Sequence, residues 1–593
     1  MERIADYIIR KLAEAGASHL FMISGRGILY LTDAVARNPD VSHVCTYHEQ
    51  SASYAAMAYA AASGRPSVCL VSTGCAAANA VTACLCAYQD NLPVIFVSGN
   101  NQLAETTRHT GVPIRTYGAQ EADIIGIVHT ITKYAVMLET PETAVYEVEK
   151  AIWTAQHGRQ GPVWIDVPLD VQNMRIDAKQ QMHFVPPPRE SVLQDDVRAA
   201  ADALRVAKRP VLLFGSGARQ ADIGVLAEAL NIPAVCSPAA CDIYGTANRL
   251  SIGVIGAIGG SRAGNFLVQN ADFILAVGIR LCSQETGRKE RFAPAAKRFV
   301  VDIDPNEHTK DGVRIDRLIC ADAAEFVEKL LSEDIPPADP AWTEKALHWK
   351  TIFSLEKEPF VQKLAETGTL DLYLLASRLS DALPENASVL CDAGFEELIV
   401  PSAVRYGKEQ RCFFPAAQGA MGFAIPAVIG AHCAGRKHLI CIVGDGSFMM
   451  NMQELPVISA MQIPVSLIVI NNNMYAVIRR RQKDLFRSRT IGNDPSDGVP
   501  APDLRRIADC FGFSYHCIRT LPELTAQLAS LSNPEKPTIT EVFCTPEQNY
   551  LHESYGKNEN GRLEQRPIDD LSPFLDRSFL KREMLAETEE THG

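Results

Sequence analysis

Gly444-Asp445-Gly446-Ser447-Phe448 and, further along, Asn471-Asn472 are the residues whose types and spacing could do chemistry. A glycine-rich turn leaves backbone amides free to point at an anion, and a helix start adds partial positive charge. The Asp445 carboxylate and the Asn472 side-chain oxygen are hard donors for a small divalent cation that also takes phosphate oxygens. Between the two groups lies MMNMQELPVISAMQIPVSLIVI, which reads as a helix and then a strand. The apolar run Leu439 to Val443 reads as a strand leading straight into Gly444. Both groups then sit at the carboxyl ends of strands, where open α/β sheets bind ligands. Such a unit is suited to Mg²⁺ and a diphosphate.

The elements that must position this cradle recur along the chain. Residues 2–16 read as a helix, His19 to Ile23 as a strand and 48–63 as a helix. Ser67 to Ser72 reads as a strand, 76–87 as a helix and Pro93 to Ser98 as a strand. That alternation predicts a parallel sheet covered by helices. The first unit closes with GPVWIDVPLDVQ, and Pro186-Pro187-Pro188 begins a linker that can continue neither element. The second opens with the strand Pro210 to Phe214 and the turn Gly215-Ser216-Gly217. It holds two more buried-strand runs, FILAVGIRL and RFVVDIDP, and ends near Leu331. SEDIPPADPAW marks the next boundary. The expected fold is α/β, with three consecutive parallel-sheet domains over 1–175, 192–331 and 365–548, then a polar tail over 549–593.

A length of 593 residues suits roughly three to four domains. The hydrophobic share of 47% and charged share of 21% are those of an ordinary globular chain. A net charge of −13 argues against nucleic acid as a partner. No apolar run is long enough to cross a bilayer, and MERIADYIIRKLAEAG is amphipathic and charged, unlike a signal peptide. The 16 cysteines are scattered with no C-x-x-C pair, so buried reduced thiols in a cytoplasmic protein are expected.

The GDG triplet followed by an asparagine pair resembles the thiamine diphosphate motif of the acetolactate synthase–pyruvate decarboxylase superfamily. YHEQSASYAAMAYAAASGRP, around Glu49, is similar to the segment that carries that family's catalytic glutamate. The resemblance implies pyrimidine-binding, central and diphosphate-binding domains in that order. It also implies a homodimer or homotetramer with the cofactor between subunits. Glu49 would activate the cofactor through its pyrimidine ring. Gly394, Gly444, Gly446 and Ser447 would wrap the diphosphate, and Asp445, Asn472 and the carbonyl of Met474 would hold Mg²⁺. Gly419 and Met421, in Gly419-Ala420-Met421-Gly422, would hold the aminopyrimidine, with Met450 as the wedge beneath the bent cofactor. Gln120, in GAQEADIIGIVHTITKYA, matches an acetolactate synthase stretch and is expected at the active site.

The sequence departs from the family in places. An expected early P-G-G turn is Ser24-Gly25-Arg26-Gly27, and Gly74-Cys75-Ala76 stands for G-P-G. Glu396 replaces a frequent histidine, and Arg481 stands where acetolactate synthases select substrate with tryptophan. Arg26 and Arg481 would suit a carboxylate or phosphate on the substrate. For Arg479-Arg480-Arg481 the plain alternative is a solvated basic face. IGAIGGSRAGN, VGIRLCSQETG and VDIDPNEHTK align with the central domain of acetolactate synthases, which often binds FAD in a structural role. FAD is therefore open here, although the usual R-F-D-D-R loop reads Arg280-Leu281-Cys282-Ser283-Gln284. The resemblance implies decarboxylation of a 2-keto acid, pyruvate first, and transfer of its two-carbon unit to a carbonyl acceptor. Two other readings are transfer to a keto sugar nucleotide and simple decarboxylation. The last usually goes with paired histidines, which are absent from this sequence.

Overall fold

The computed structural model describes residues 1–188, 191–548, 550–557 and 563–585. Three six-stranded parallel sheets follow one another along the chain. The first orders its strands Ser42–Cys45, His19–Met22, Ser67–Val71, Val94–Asn100, Val163–Pro168, Tyr134–Met137. The third runs Arg411–Phe413, Ser388–Cys391, Leu439–Gly444, Val465–Asn471, Thr538–Phe543, Ser514–Ile518. Counted in chain order within each unit, both follow 2-1-3-4-6-5. The central sheet differs, running 3-2-1-4-5-6 from Ser251–Val254 through Pro210–Phe214 and Phe273–Val277 to Arg317–Cys320. The expected three-sheet α/β architecture is therefore the observed one.

The inner strands are near-continuous apolar runs because helices cover both sheet faces. Val94–Asn100 and Val465–Asn471 are buried at every position. Two expected elements end differently. The helix over 76–87 is two, Cys75–Asn79 and Val81–Gln89, meeting at Ala80. Asn79, a weak helix former, ends the first and turns its side chain to Glu49. The strand from Phe273 stops at Val277 because Gly278 takes φ +57°.

The first and third units touch directly. Helix Glu49–Ser63 packs on helix Ala424–Cys433 through alanines and glycine. A methyl on Gly430 would lie 2.0 Å from the Ala55 carbonyl oxygen, so nothing larger than glycine fits this crossing. A second link joins all three units. Buried Asp242, in the central unit, accepts from Arg219 at 2.9 Å and Arg411 at 2.7 Å. Arg411 also donates to the Ala61 carbonyl. Burial pushes the Asp242 carboxyl up, but the two guanidiniums win and hold it at about 2. The described part of the tail lies on the central unit, with Ile568 in its core and Leu571 buried.

Candidate active site

In the third sheet, Ser388–Cys391 and Leu439–Gly444 are neighbours whose following chain leaves in opposite directions. This is the switch point at which an open α/β sheet offers a crevice. Asp392 leaves the first strand and is fully buried. Its Oδ1 accepts from the amides of Ala393 and Gly422 at 2.9 Å, and its Oδ2 from Ala424 at 2.8 Å. One carboxylate thus pins the Gly419–Gly422 turn over the crevice. Gly394 at φ +108° and Gly419 at φ +57° adopt backbone that other residues avoid. A methyl on Gly419 would sit 2.8 Å from Glu397 Oε2.

The second strand delivers Gly444 to Ser447. Asp445 Oδ1 accepts from the Gly446 amide and Oδ2 from the Asn473 amide, both at 2.7 Å. Asn472 Oδ1 accepts from the Met474 amide at 3.1 Å, so Asp445, Asn472 and Met474 share one tight turn. Asn471 donates its side-chain amide to buried Glu541 and accepts from the Asn473 amide at 3.1 Å. The Tyr475 ring covers Gly446, where a methyl would meet it at 2.1 Å. Met450 is 45% exposed beside Gly422, an apolar side chain held out of the core.

The cradle is acidic. Burial pushes Glu396 up to about 8, and the charges of Asp392 and Asp445 push the same way. Burial likewise pushes Asp445 up to about 6, against three backbone amides that favour its charge. The Glu396 carboxyl lies between the positions a methyl would take on Gly394 and Gly444, at 2.8 and 3.2 Å. Oxygen donors, close glycine backbone and carboxyls whose charged forms have no cation beside them suit a hard divalent cation carrying a diphosphate. Among the described residues no three His, Cys, Asp or Glu side chains converge as a metal site by themselves. The donor set in this turn instead mixes a carboxylate, an amide oxygen and a backbone carbonyl.

Comparison with known proteins agrees with this geometry. Residues 2–126 match the N-terminal TPP binding domain of thiamine pyrophosphate enzymes, 197–330 their central domain and 392–542 their C-terminal TPP binding domain. The acetolactate synthase large subunit of Parasynechococcus marenigrum (strain WH8102) is 31% identical over 571 residues, spanning 92% of this chain and 88% of its own. The chain belongs to the thiamine pyrophosphate enzyme family. Two Escherichia coli (strain K12) acetolactate synthase large subunits are also similar. Isozyme 3 is 29% identical over 86% of this chain and 88% of its own. Isozyme 1 is 28% identical over 92% and 94%. This is a thiamine diphosphate enzyme of the acetolactate synthase-like type.

Glu49 opens helix Glu49–Ser63, where the helix dipole favours a carboxylate. Within one chain Glu49 is half-buried, accepting from Asn79 Nδ2 at 2.9 Å. Its neighbours tie the helix start to the third unit. The Tyr47 amide donates to Glu454 at 3.0 Å, and Ser51 Oγ donates to Asn451 Oδ1 at 3.0 Å, one residue from Met450.

Gln120 is exposed at φ +63°, and its carbonyl accepts from Thr73 Oγ1 at 3.0 Å. Thr73 also touches Gly27, so the Arg26, Gly74 and Gln120 loops meet at one end of the first sheet. Arg26 is exposed and has no ion pair among the described residues. The three arginines do not form one face. Arg479 pairs with Asp494 at 3.3 Å. Arg480 pairs with Glu553 at 2.6 Å and lies over the Tyr550 ring. Arg481 alone of the three is exposed and has no ion pair among the described residues. Asn79 and Tyr475 escaped the sequence reading. One is a lone amide after an alanine run and the other simply follows Met474, so neither carries a local signal.

Proposed function

We propose that this enzyme decarboxylates pyruvate and joins the two-carbon unit to a carbonyl acceptor, as its relatives' name, acetolactate synthase, describes. The observation that carries this is the cradle around Asp392, Asp445 and Gly419, in a chain that aligns with those enzymes over 92% of its length. Bound thiamine diphosphate supplies an electron sink for the carbon that loses carbon dioxide. The rest falls to the protein. Asp445, Asn472 and the Met474 carbonyl hold Mg²⁺. Asn472 Oδ1 has a second lone pair for the metal beside its bond to the Met474 amide. Gly394, Gly444, Gly446 and Ser447 bring backbone up to the diphosphate. Gly419 and Met421 would hold the aminopyrimidine, and Met450 would pack beneath the cofactor.

Glu49 keeps a proton shared with the pyrimidine ring, with Asn79 fixing its carboxylate. Gln120 orients the substrate. A second copy of the chain completes the site in a homodimer or homotetramer. Large apolar side chains left uncovered beside the site loops support this, among them Tyr47 at 67%, Tyr117 at 61% and Ile478 at 52% exposure. Burial against that copy would give Glu49 its drier setting.

One observation favours a second reading of the acceptor. Arg26 and Arg481 are exposed arginines at the site loops with no ion pair among the described residues, and a guanidinium held free suits an anionic group. A keto sugar nucleotide supplies one. The test incubates the enzyme with thiamine diphosphate, Mg²⁺ and pyruvate, with and without carbonyl acceptors, and identifies products by mass spectrometry. Acetolactate from pyruvate alone supports the first reading. Turnover only with a keto sugar nucleotide supports the second. Acetaldehyde as the sole product, or no carbon dioxide from any 2-keto acid, overturns both.

A further inference from the structure

The central sheet has its own switch point, between Pro210–Phe214 and Phe273–Val277. A dinucleotide bound there needs an open crevice, free amides and a helix N-terminus. None is on offer. The Gly215 amide donates to Val277 O and the Gly217 amide to Gly278 O, both at 3.0 Å. A methyl on Gly215 would lie 2.4 Å from Gly278 O, so the two loops are in backbone contact. The chain continues into a three-residue turn, Ser216–Ala218, instead of a helix. Arg219, just after it, is committed to Asp242.

The neighbouring loops, at 255–261 and 280–287, are those that align with a flavin-carrying domain, and they too are occupied. The tail pairs with the first of them. Ser554 donates its amide to Ala257 O at 2.7 Å, and Gly259 donates its own to His552 O at 3.2 Å. Ile258 and Glu553 form a β-bridge between these bonds. Ile568, also from the tail, lies 3.0 Å from where a methyl on Gly287 would be.

This seat is built with buried charge. Arg262 is 2% exposed. It donates to Leu571 O at 3.0 Å and Pro573 O at 2.5 Å, and pairs with Glu358 at 2.8 Å. Glu358 also bonds the His552 ring at 2.9 Å. A buried guanidinium satisfied by two tail carbonyls makes the tail part of the fold. From there the tail reaches the diphosphate domain. Arg480, on the helix after the Asn472–Met474 turn, pairs with Glu553, and the Tyr550 ring packs at a tilt against Phe395 beside Gly394 with ring centroids 4.8 Å apart.

We infer that the central domain takes no flavin and that tail residues 551–557 and 563–573 fill the seat, tying the central domain to the thiamine diphosphate cradle as a bound cofactor would. Atoms of the chain already fill the crevice and engage its hydrogen bonds, so FAD would have to displace covalently attached protein. The inference is independent of which acceptor the enzyme uses.

The purified full-length protein tests it. Its absorption spectrum and the fluorescence of heat-released flavin are recorded. Tm is then followed while FAD is added, with thiamine diphosphate plus Mg²⁺ as the positive control. No flavin and no shift with FAD, beside a rise in Tm with thiamine diphosphate, is the expected result. Stoichiometric flavin, or a Tm that climbs with FAD, overturns the inference. R262A, which releases both tail carbonyls, is expected to speed proteolytic cleavage of the tail while the remainder stays intact. Cleavage at the wild-type rate shows that the tail is not seated as described.

Discussion

The first and third sheets share one strand order and use it differently. In the third, the switch point is open enough to hold the Glu396 carboxyl between Gly394 and Gly444. In the first, the equivalent crevice is packed shut. A methyl on Gly25 would meet Ser72 Oγ at 2.4 Å, and the Gly27 amide donates to that same oxygen at 3.2 Å. On the proposed function, the first unit would act instead through Glu49, at the start of the helix that follows the edge strand Ser42–Cys45. Strand order says where a ligand can bind, and the loops decide whether one does.

Substitutions can break that contrast. E49Q is expected to lower kcat/KM by about 10²–10⁴-fold while thiamine diphosphate still binds, measured by kinetics and calorimetry. Full activity would remove Glu49 from cofactor activation. D445N should raise the Mg²⁺ concentration needed for half-activation about 10–100-fold, read from a metal titration. A paired glycine test sharpens the difference. G446A must displace the Tyr475 ring and should weaken thiamine diphosphate binding about tenfold. G25A should cost about 1–3 kcal/mol of stability and leave cofactor affinity alone. Equal effects of the two on cofactor binding would mean that both crevices hold ligand.

The smallest effect lies at the seam between the two units. Burial pushes Asp90, of the first unit, up to about 7 and Glu397, of the third, up to about 8, with the Asp90 charge adding to the latter. Both folded values lie above the unfolded ones, so the folded protein binds these protons more tightly. Their contribution is present at low pH and is lost as pH rises through about 7 to 8. Tm of the cofactor-free enzyme should fall by a few degrees between about pH 4 and 8, the span from the unfolded carboxyl values to the folded ones, and E397Q should flatten that fall. An unchanged slope in E397Q would remove Glu397 from the account.

The cradle was legible because its parts are local. Leu439–Gly444 is an unbroken apolar run, and Gly444-Asp445-Gly446 announces a turn in the residues themselves. Parts made by distant contacts were not legible. Nothing near Asn79 says that it will meet Glu49, and the three adjacent arginines separate only because Asp494 and Glu553 come to two of them. Short strands such as Tyr134–Met137 and Arg411–Phe413 lie at or beside sheet edges, where three or four residues, some of them partly exposed, leave little periodic signal. The tail was unreadable for the same reason. Its role is set by Arg262 and Glu358, far away in the chain.

The glycine crossing of helices Glu49–Ser63 and Ala424–Cys433 has a consequence for making hybrids of this enzyme. The spacing of these helices sets how far the Glu49 end stands from the third unit, so neither helix can change size alone. A first unit transplanted from a relative with a bulkier partner for Gly430 would arrive with intact loops and a misplaced carboxylate. Exchangeable parts of this molecule are therefore bounded by matched helix faces and not by the linkers between its sheets. A successful hybrid would have to carry 49–63 and 424–433 together.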